Sequence, residues 1–120
     1  MTGKRAIVAS CHCGKVTIEL SRKPDYINQC NCSICTKLGW RCVYLSSAEL
    51  RIEGTFDDYV RSDLAEPMMR IRRCASCGCP THWELLSPPP YERIGVNALL
   101  LDKSVLEGVE VREVDGASWT

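Results

Sequence analysis

The sequence contains no long apolar run and no excess of charge of either sign. Its longest uninterrupted apolar stretches, such as 98–101, are far shorter than the roughly 20 residues that a transmembrane helix needs. The chain has 15 basic and 15 acidic residues, whereas broad electrostatic capture of nucleic acid or of an anionic membrane relies on clustered positive charge. We therefore expect neither a nucleic-acid partner nor a membrane partner.

The sequence also has little that indicates export or a second domain. The first ten residues, MTGKRAIVAS, contain two basic residues but only a four-residue apolar run, which is shorter than a secretory signal needs. We therefore expect a cytoplasmic protein. The 120 residues fit one domain, 1–120, and the 45% apolar content suffices for a modest core.

Sustained helical periodicity is absent as well, and the pattern is mainly β. Val16, Ile18 and Leu20 alternate with polar residues, which is the period-2 signature of a half-buried strand. Short helical turns are expected at 33–37 and around 47–50. The remaining strand candidates, separated by turn-prone stretches such as RKPD, EGTFDD, SPPP and LDKS, are 5–10, 41–46, 50–53, 68–73, 81–86, 93–97, 98–101 and 108–114.

Nine cysteines are the strongest signal in the chain. An odd number fits a complete disulfide framework poorly, and closely spaced cysteines in a reducing compartment indicate metal ligands. Cys11 and Cys13 lie in CHCG, and Cys74 and Cys77 lie in CASCG, the C-x-x-C-G form of a zinc knuckle. The simplest partition joins these four into one closed zinc site that connects the first strand to the middle of the chain.

That partition leaves CNCSIC with three thiolates, those of Cys30, Cys32 and Cys35, and a vacant fourth position. Three protein ligands plus water or substrate is the arrangement of a catalytic zinc, which can bind a substrate thiol or polarise an oxygen. Alternatively, Cys42 or Cys79 closes the second site and both zinc ions are structural. Cys42 lies in an apolar strand, where a buried free thiol is common, and Cys79 would sooner crowd the first site.

Few other residues suggest chemistry. His12, between two of the proposed ligands, is expected to be an exposed turn residue. His82 is a candidate acid–base group lining the second site. Lys37, Arg41 and Arg61 are candidates for binding the carboxylates of a peptide-like thiol, although solvated surface charge is the simpler interpretation of each.

The ordered motifs resemble those of the glutathione-dependent formaldehyde-activating enzyme family, whose fold is called Mss4-like. They are CHCGKV, CNCSICTK, CASCG and IGVNALLLD. Within that family the sequence is most similar to the branch that includes the zinc-binding domain of centromere protein V. That branch shares CNCSIC and an acidic segment followed by G-x-S-W, here VREVDGASW (111–119). The family's enzymes usually carry His between the first two cysteines of the second site, where this chain has Asn31.

The resemblance implies several small antiparallel sheets and two Zn²⁺ sites. Its structural and second-site ligands correspond respectively to Cys11, Cys13, Cys74 and Cys77, and to Cys30, Cys32 and Cys35. The implied activity is a carbon–sulfur lyase reaction in reverse, the condensation of formaldehyde with glutathione to S-hydroxymethylglutathione, with Cys30, Cys32 and Cys35 as catalytic residues. Two alternatives stay open, a non-catalytic zinc module for protein partners and a redox-sensing cysteine cluster.

Overall fold

The computed structural model describes residues 7–86 and 93–119, and within them ten strands form two sheets. The prediction of a mainly β fold is therefore confirmed. The strands are β1 (Ile7–Ser10), β2 (Thr17–Leu20), β3 (Tyr26–Cys30), β4 (Cys42–Leu45), β5 (Leu50–Glu53), β6 (Phe56–Val60), β7 (Met69–Cys74), β8 (Pro80–Leu85), β9 (Ile94–Asn97) and β10 (Glu110–Val114).

The two sheets differ in size. The smaller is antiparallel and has the strand order β1-β2-β5, and the larger has seven strands in the order β10-β3-β4-β9-β8-β7-β6. All neighbours in the larger sheet are antiparallel except β10 and β3, which are parallel. The sheets implied by the family resemblance are thus present, and the parallel pairing of β10 with β3 makes the larger sheet a mixed one.

Helical segments are short. The α-helices are α1 (Ser33–Leu38) and α2 (Lys103–Leu106), and a 3₁₀ turn covers Ser47–Glu49. The predicted helical turns near 33–37 and 47–50 are thus confirmed, whereas α2 was expected to be a turn. It begins after Asp102, whose side chain accepts a hydrogen bond from the Ser104 N–H over 3.0 Å. In the described part of the chain, no helix combines the length and apolar character needed to cross a membrane.

Three other assignments need correction. The expected strand at 98–101 is wrong, because Ala98–Leu100 is a 3₁₀ turn in which the Asn97 side chain accepts from the Leu99 N–H over 3.0 Å. The expected EGTFDD turn overlaps β6, whose Asp58 forms ion pairs with Arg70 and Arg72 of β7. Strand β3 was not predicted at all. The SPPP turn expected at 87–90 lies outside the described residues.

The larger sheet separates two apolar clusters. Val43 of β4 belongs to the first cluster, which joins this sheet to the small one through residues such as Ile18. Its neighbour Cys42 points to the opposite face, where the second cluster contains Trp40 and Trp83. Side chains alternate along a strand, so Val43 and Cys42 face opposite sides of the sheet. Helix α1, which follows β3, packs Ile34, Cys35 and Leu38 against the second cluster and therefore lies on this second face.

Candidate metal centres

The first cysteine group has the geometry of a tetrathiolate zinc site. The sulfur atoms of Cys11, Cys13, Cys74 and Cys77 lie within 4.8 Å of one another. Cys13 Sγ is 3.7 Å from Cys11 Sγ and 3.6 Å from Cys74 Sγ. Tetrahedral zinc with bonds of about 2.3 Å to sulfur separates its ligands by about 3.8 Å. The residues therefore fit zinc.

Two tight turns direct backbone N–H groups at these sulfur atoms. The Val16 N–H donates to Cys11 Sγ over 3.3 Å as the chain enters β2. At the end of β7, the Cys77 N–H donates to Cys74 Sγ over 3.4 Å. Gly78, with φ of 79°, has the left-handed conformation that this turn needs, and its N–H donates to the Cys74 carbonyl. Such donors stabilise thiolates over thiols.

The pKa values of two thiols in this group shift in opposite directions. The backbone N–H groups of Cys79 and Cys13 lower the pKa of Cys77 to about 5. For Cys13, the Lys15 N–H acts in the same direction, but desolvation and hydrogen bonds with the neighbouring thiols raise the pKa to about 11. Thiols this close cannot all ionise unless a cation lies between them. The group is therefore arranged for a cation.

Cys79 lies beside the first group rather than the second. Its carbonyl accepts a hydrogen bond from the Cys74 N–H over 2.9 Å, and its thiol interacts with that of Cys77. His12, in the same region, is exposed.

The second cysteine group consists of three residues. The sulfur atoms of Cys30, Cys32 and Cys35 lie within 4.8 Å of one another, and no other described His, Cys, Asp or Glu belongs to the group. Cys30 ends β3, Cys32 immediately precedes α1, and Cys35 lies within that helix. Three sulfur donors so close together fit a zinc ion that keeps one position for another ligand.

The first turn of α1 influences the ionisation of this group. Burial disfavours the Cys32 thiolate, but the Cys35 N–H and the adjacent thiols, together with the charge of Arg61, lower the pKa of Cys32 overall. Burial raises the pKa of Cys35 to about 12. As in the first group, the pKa of one thiol is lowered and that of its neighbour is raised, and a bound cation would favour the thiolate form of both.

Neither remaining candidate completes this group. Cys42 is buried in the apolar cluster beneath it, where burial raises its pKa and its sulfur stays outside the group. His82 is fully buried but projects from β8 on the face opposite to Trp83, with its ring edge-on to that of Phe56. It does not line the cleft described next, so its assignment as an acid–base group of the second site is not supported.

A cleft of about 600 Å³ adjoins the second group. Cys30 and Cys35 form part of its wall, and Asp115, which accepts a hydrogen bond from Asn31, also lines it. Two further charged residues are contributed by Arg41, which precedes β4, and by Glu113 of β10. Both charged side chains are exposed, and neither forms an ion pair with any described residue. Opposite unpaired charges therefore face one cavity beside the three sulfur atoms.

Asn31 connects the second group to the wall of the cleft that β10 forms. Its backbone N–H donates to the Val114 carbonyl over 3.1 Å, and its side chain bonds Asp115 and the Ala117 N–H, each over 2.9 Å. Sequence reasoning did not identify Glu113 or Asp115 as lining residues. The available signal was the acidic segment at 111–119, which was noted only as a feature of the family.

Arg61 requires another correction. It is only 9% exposed, so its interpretation as solvated surface charge is wrong. Its guanidinium donates to both carboxylate oxygens of Asp63, over 3.0 and 2.6 Å, and to Ser33 Oγ over 3.0 Å. It therefore supports the start of α1. Of the three cationic candidates only Arg41 lines the cleft, because Arg61 is turned toward Asp63 and Lys37 is exposed outside the cleft.

Comparison with known proteins identifies the family of this chain. The model of the family described as glutathione-dependent formaldehyde-activating enzyme matches residues 6–113. The chain belongs to this family. A crystal structure of a Rhodobacter sphaeroides protein, determined as a structural-genomics target, is 27% identical with a TM-score of 0.65. That similarity covers 88% of this chain and 100% of the other. The family resemblance drawn from the motifs is thus confirmed.

Proposed function

We propose that this member of the formaldehyde-activating family is a zinc-dependent carbon–sulfur lyase-type enzyme that joins a small thiol, such as glutathione, to formaldehyde. The observation that carries the proposal is a group of three cysteine sulfurs, two of whose residues, Cys30 and Cys35, line a cleft. Cys30, Cys32 and Cys35 would hold the catalytic zinc. The closed group of Cys11, Cys13, Cys74 and Cys77 would hold a structural one.

The chemistry follows from the donor set. When bound, zinc lowers the pKa of a thiol that occupies its fourth position and holds the sulfur beside an electrophile. Three thiolate ligands leave the site with a net negative charge, which suits thiol binding better than activation of water. The substrate sulfur attacks the aldehyde carbon, a carbon–sulfur bond replaces the carbonyl π bond, and the oxygen gains the proton that the thiol loses. Nothing is oxidised or reduced.

The charges of the cleft suit a zwitterionic thiol. Arg41 can bind a carboxylate through paired N–H donors, and Glu113 can bind an ammonium group. Glutathione carries both groups at its γ-glutamyl end. Holding that end would place the cysteinyl sulfur near Cys30 and Cys35, which line the same cleft.

The experiment combines metal analysis with a rate measurement. We expect two zinc ions per chain in protein purified without chelators, and faster exchange of ¹³C-formaldehyde with glutathione by NMR than in buffer. Cys32→Ser should lose one zinc ion and the acceleration, whereas the matched control Cys42→Ser should keep both. Activity in Cys32→Ser would contradict this mechanism. One zinc ion in the wild type, or two without acceleration, would instead favour a non-catalytic module that binds protein partners.

A further inference from the structure

The three sulfur atoms of the second group differ in their hydrogen-bond donors. The Cys32 N–H donates to Cys30 Sγ over 3.4 Å, and the Cys35 N–H favours the Cys32 thiolate. No backbone N–H of the described residues forms a hydrogen bond with the sulfur of Cys35. Thiolates bound to metal accept hydrogen bonds that orient them and reduce their charge. Cys35 therefore lacks the donor that its two neighbours have.

A donor without an acceptor lies beside it. Trp40 is 4% exposed, and its indole Nε1 is buried with no hydrogen-bond partner among the described residues. A buried N–H left in this condition destabilises the folded chain. Trp40 belongs to the apolar cluster against which Cys35 packs, and both residues line the cleft. The indole N–H without an acceptor and the Cys35 sulfur without a backbone donor therefore lie in the same region beside the cleft.

The chain geometry explains why they meet. Helix α1 ends at Gly39, whose φ of 68° allows a left-handed turn and whose N–H donates to the Cys35 carbonyl over 3.0 Å. The turn brings Trp40, the next residue, back toward the helix. Burial raises the pKa of Cys35, and the Trp40 indole N–H acts in the opposite direction, although its geometry falls short of a full hydrogen bond to the thiol.

We propose that the Trp40 Nε1–H donates a hydrogen bond to the sulfur of Cys35 when that sulfur is a metal-bound thiolate. A thiolate that accepts this bond is a weaker nucleophile. An electrophile in the cleft then reacts with a substrate sulfur in preference to the Cys35 ligand. Trp40 is on this view a positioning residue. The inference rests on the proposed function only in requiring a metal at the second group, and it holds for any substrate.

The direct test is NMR of the ¹⁵N-labelled protein refolded with ¹¹³Cd²⁺. A hydrogen bond to a ligand sulfur should transmit scalar coupling from ¹¹³Cd to the indole proton of Trp40, whose signal is the one missing from Trp40→Phe. In Cys32→Ser, which keeps the first group, the coupling should vanish and the signal should move upfield. Two bound metal ions without coupling would overturn the hydrogen bond alone. Absence of the second metal would overturn the metal site as well.

A reactivity measurement tests the consequence. Trp40→Phe keeps an aromatic ring but removes the donor, and we expect iodoacetamide to alkylate Cys35 several-fold faster in the metal-loaded variant, as followed by peptide mass spectrometry. Trp83→Phe is the matched control, because its indole acts on Cys42 outside the group. Equal alkylation rates in wild type and Trp40→Phe would overturn the proposed role. If Trp40→Phe loses the second metal, the coupling in the wild type decides.

Discussion

The side chain of Asn31 donates a 2.9 Å hydrogen bond to the carboxylate of Asp115, 84 residues further along the chain. Its amide oxygen accepts from the Ala117 N–H over the same distance. Asn31 lies between two candidate metal ligands, so one residue connects the metal-binding loop to the segment that closes the cleft. The family's enzymes usually carry His here, and in this chain the position has a structural role.

We expect Asn31→Ala to loosen the wall of the cleft without removing a metal ligand. Loss of two hydrogen bonds should lower the free energy of unfolding by about 1–2 kcal/mol, measured by urea denaturation. KM for the thiol should rise while kcat and the zinc content are retained. Asn31→Asp is the sharper comparison, because it keeps the acceptor for Ala117 but faces the Asp115 carboxylate, and it should raise KM further. Unchanged KM in both variants would contradict this role.

The cysteine groups were predictable because few residue types bind zinc and their local spacing restricts the geometry. Strand β3 was not, because its sequence YINQC carries polar residues although the strand is paired on both sides within a sheet. Asn28 is buried there and donates to the Tyr44 hydroxyl over 2.5 Å. No local pattern signals that partner, which lies in the next strand.

The wall of the cleft depends on pairing across a long stretch of chain. Glu113 is opposite Gln29 and Val114 is opposite Cys30, because β10 pairs with β3 in parallel. Parallel neighbours require a long connection, and hydropathy alternation does not identify which strands pair. Arg61 was misjudged for a similar reason, since its partner Ser33 lies 28 residues earlier in the chain.

Loss of metal should have different effects on folding at the two cysteine groups. Structural zinc contributes on the order of 10 kcal/mol to folding, comparable with the whole stability of a small domain. We therefore expect Cys74→Ser to unfold, with loss of the far-UV circular dichroism spectrum, whereas Cys32→Ser should remain folded with one zinc ion. Complete removal of zinc by a chelator should unfold the wild type. An unchanged far-UV spectrum after verified zinc removal would disprove the structural role of the first group.

Arg61 should affect the metal affinity of the second cysteine group more than that of the first. Its charge favours the Cys32 thiolate, and its guanidinium holds Ser33 at the start of α1. We expect Arg61→Gln to lower the affinity of the second group for its metal about tenfold, which is about 1.4 kcal/mol. Competition with a chromophoric chelator measures this affinity. Lys37→Gln removes an exposed cation from the same helix and should leave the affinity unchanged. Equal effects in the two variants would show that only the overall charge matters.

The lowered pKa of His82 predicts a specific pH dependence of the free energy of unfolding. Burial lowers its pKa below the ordinary value of 6.5, although Glu84 acts in the opposite direction and Arg72 and Arg70 act in the same one. Below pH 6.5 the unfolded chain therefore binds a proton that the folded chain does not, and stability falls as the pH falls toward the folded pKa.

The measurement compares unfolding of zinc-saturated wild type and His82→Gln between pH 7.5 and 5.5. We expect the wild-type free energy of unfolding to fall more steeply, by up to about 1.4 kcal/mol per pH unit below 6.5. The difference between the curves isolates His82, because protonation of the cysteines on zinc release is common to both proteins. Parallel curves would show that His82 is protonated as readily in the folded chain as in the unfolded one.

Gly95 and Trp83 form a contact that supports the face under the second group. A Cβ atom at Gly95 would lie 2.0 Å from Trp83 Nε1, which no side-chain adjustment smaller than movement of the indole can relieve. Trp83 is 7% exposed and belongs to the same cluster as Trp40 and Cys42. We expect Gly95→Ala to lower the free energy of unfolding by about 1–3 kcal/mol. In a Trp83→Leu background, the same substitution should cost much less, because the obstructing ring is absent. Equal costs in the two backgrounds would place the strain elsewhere, so the double-mutant cycle tests the contact itself.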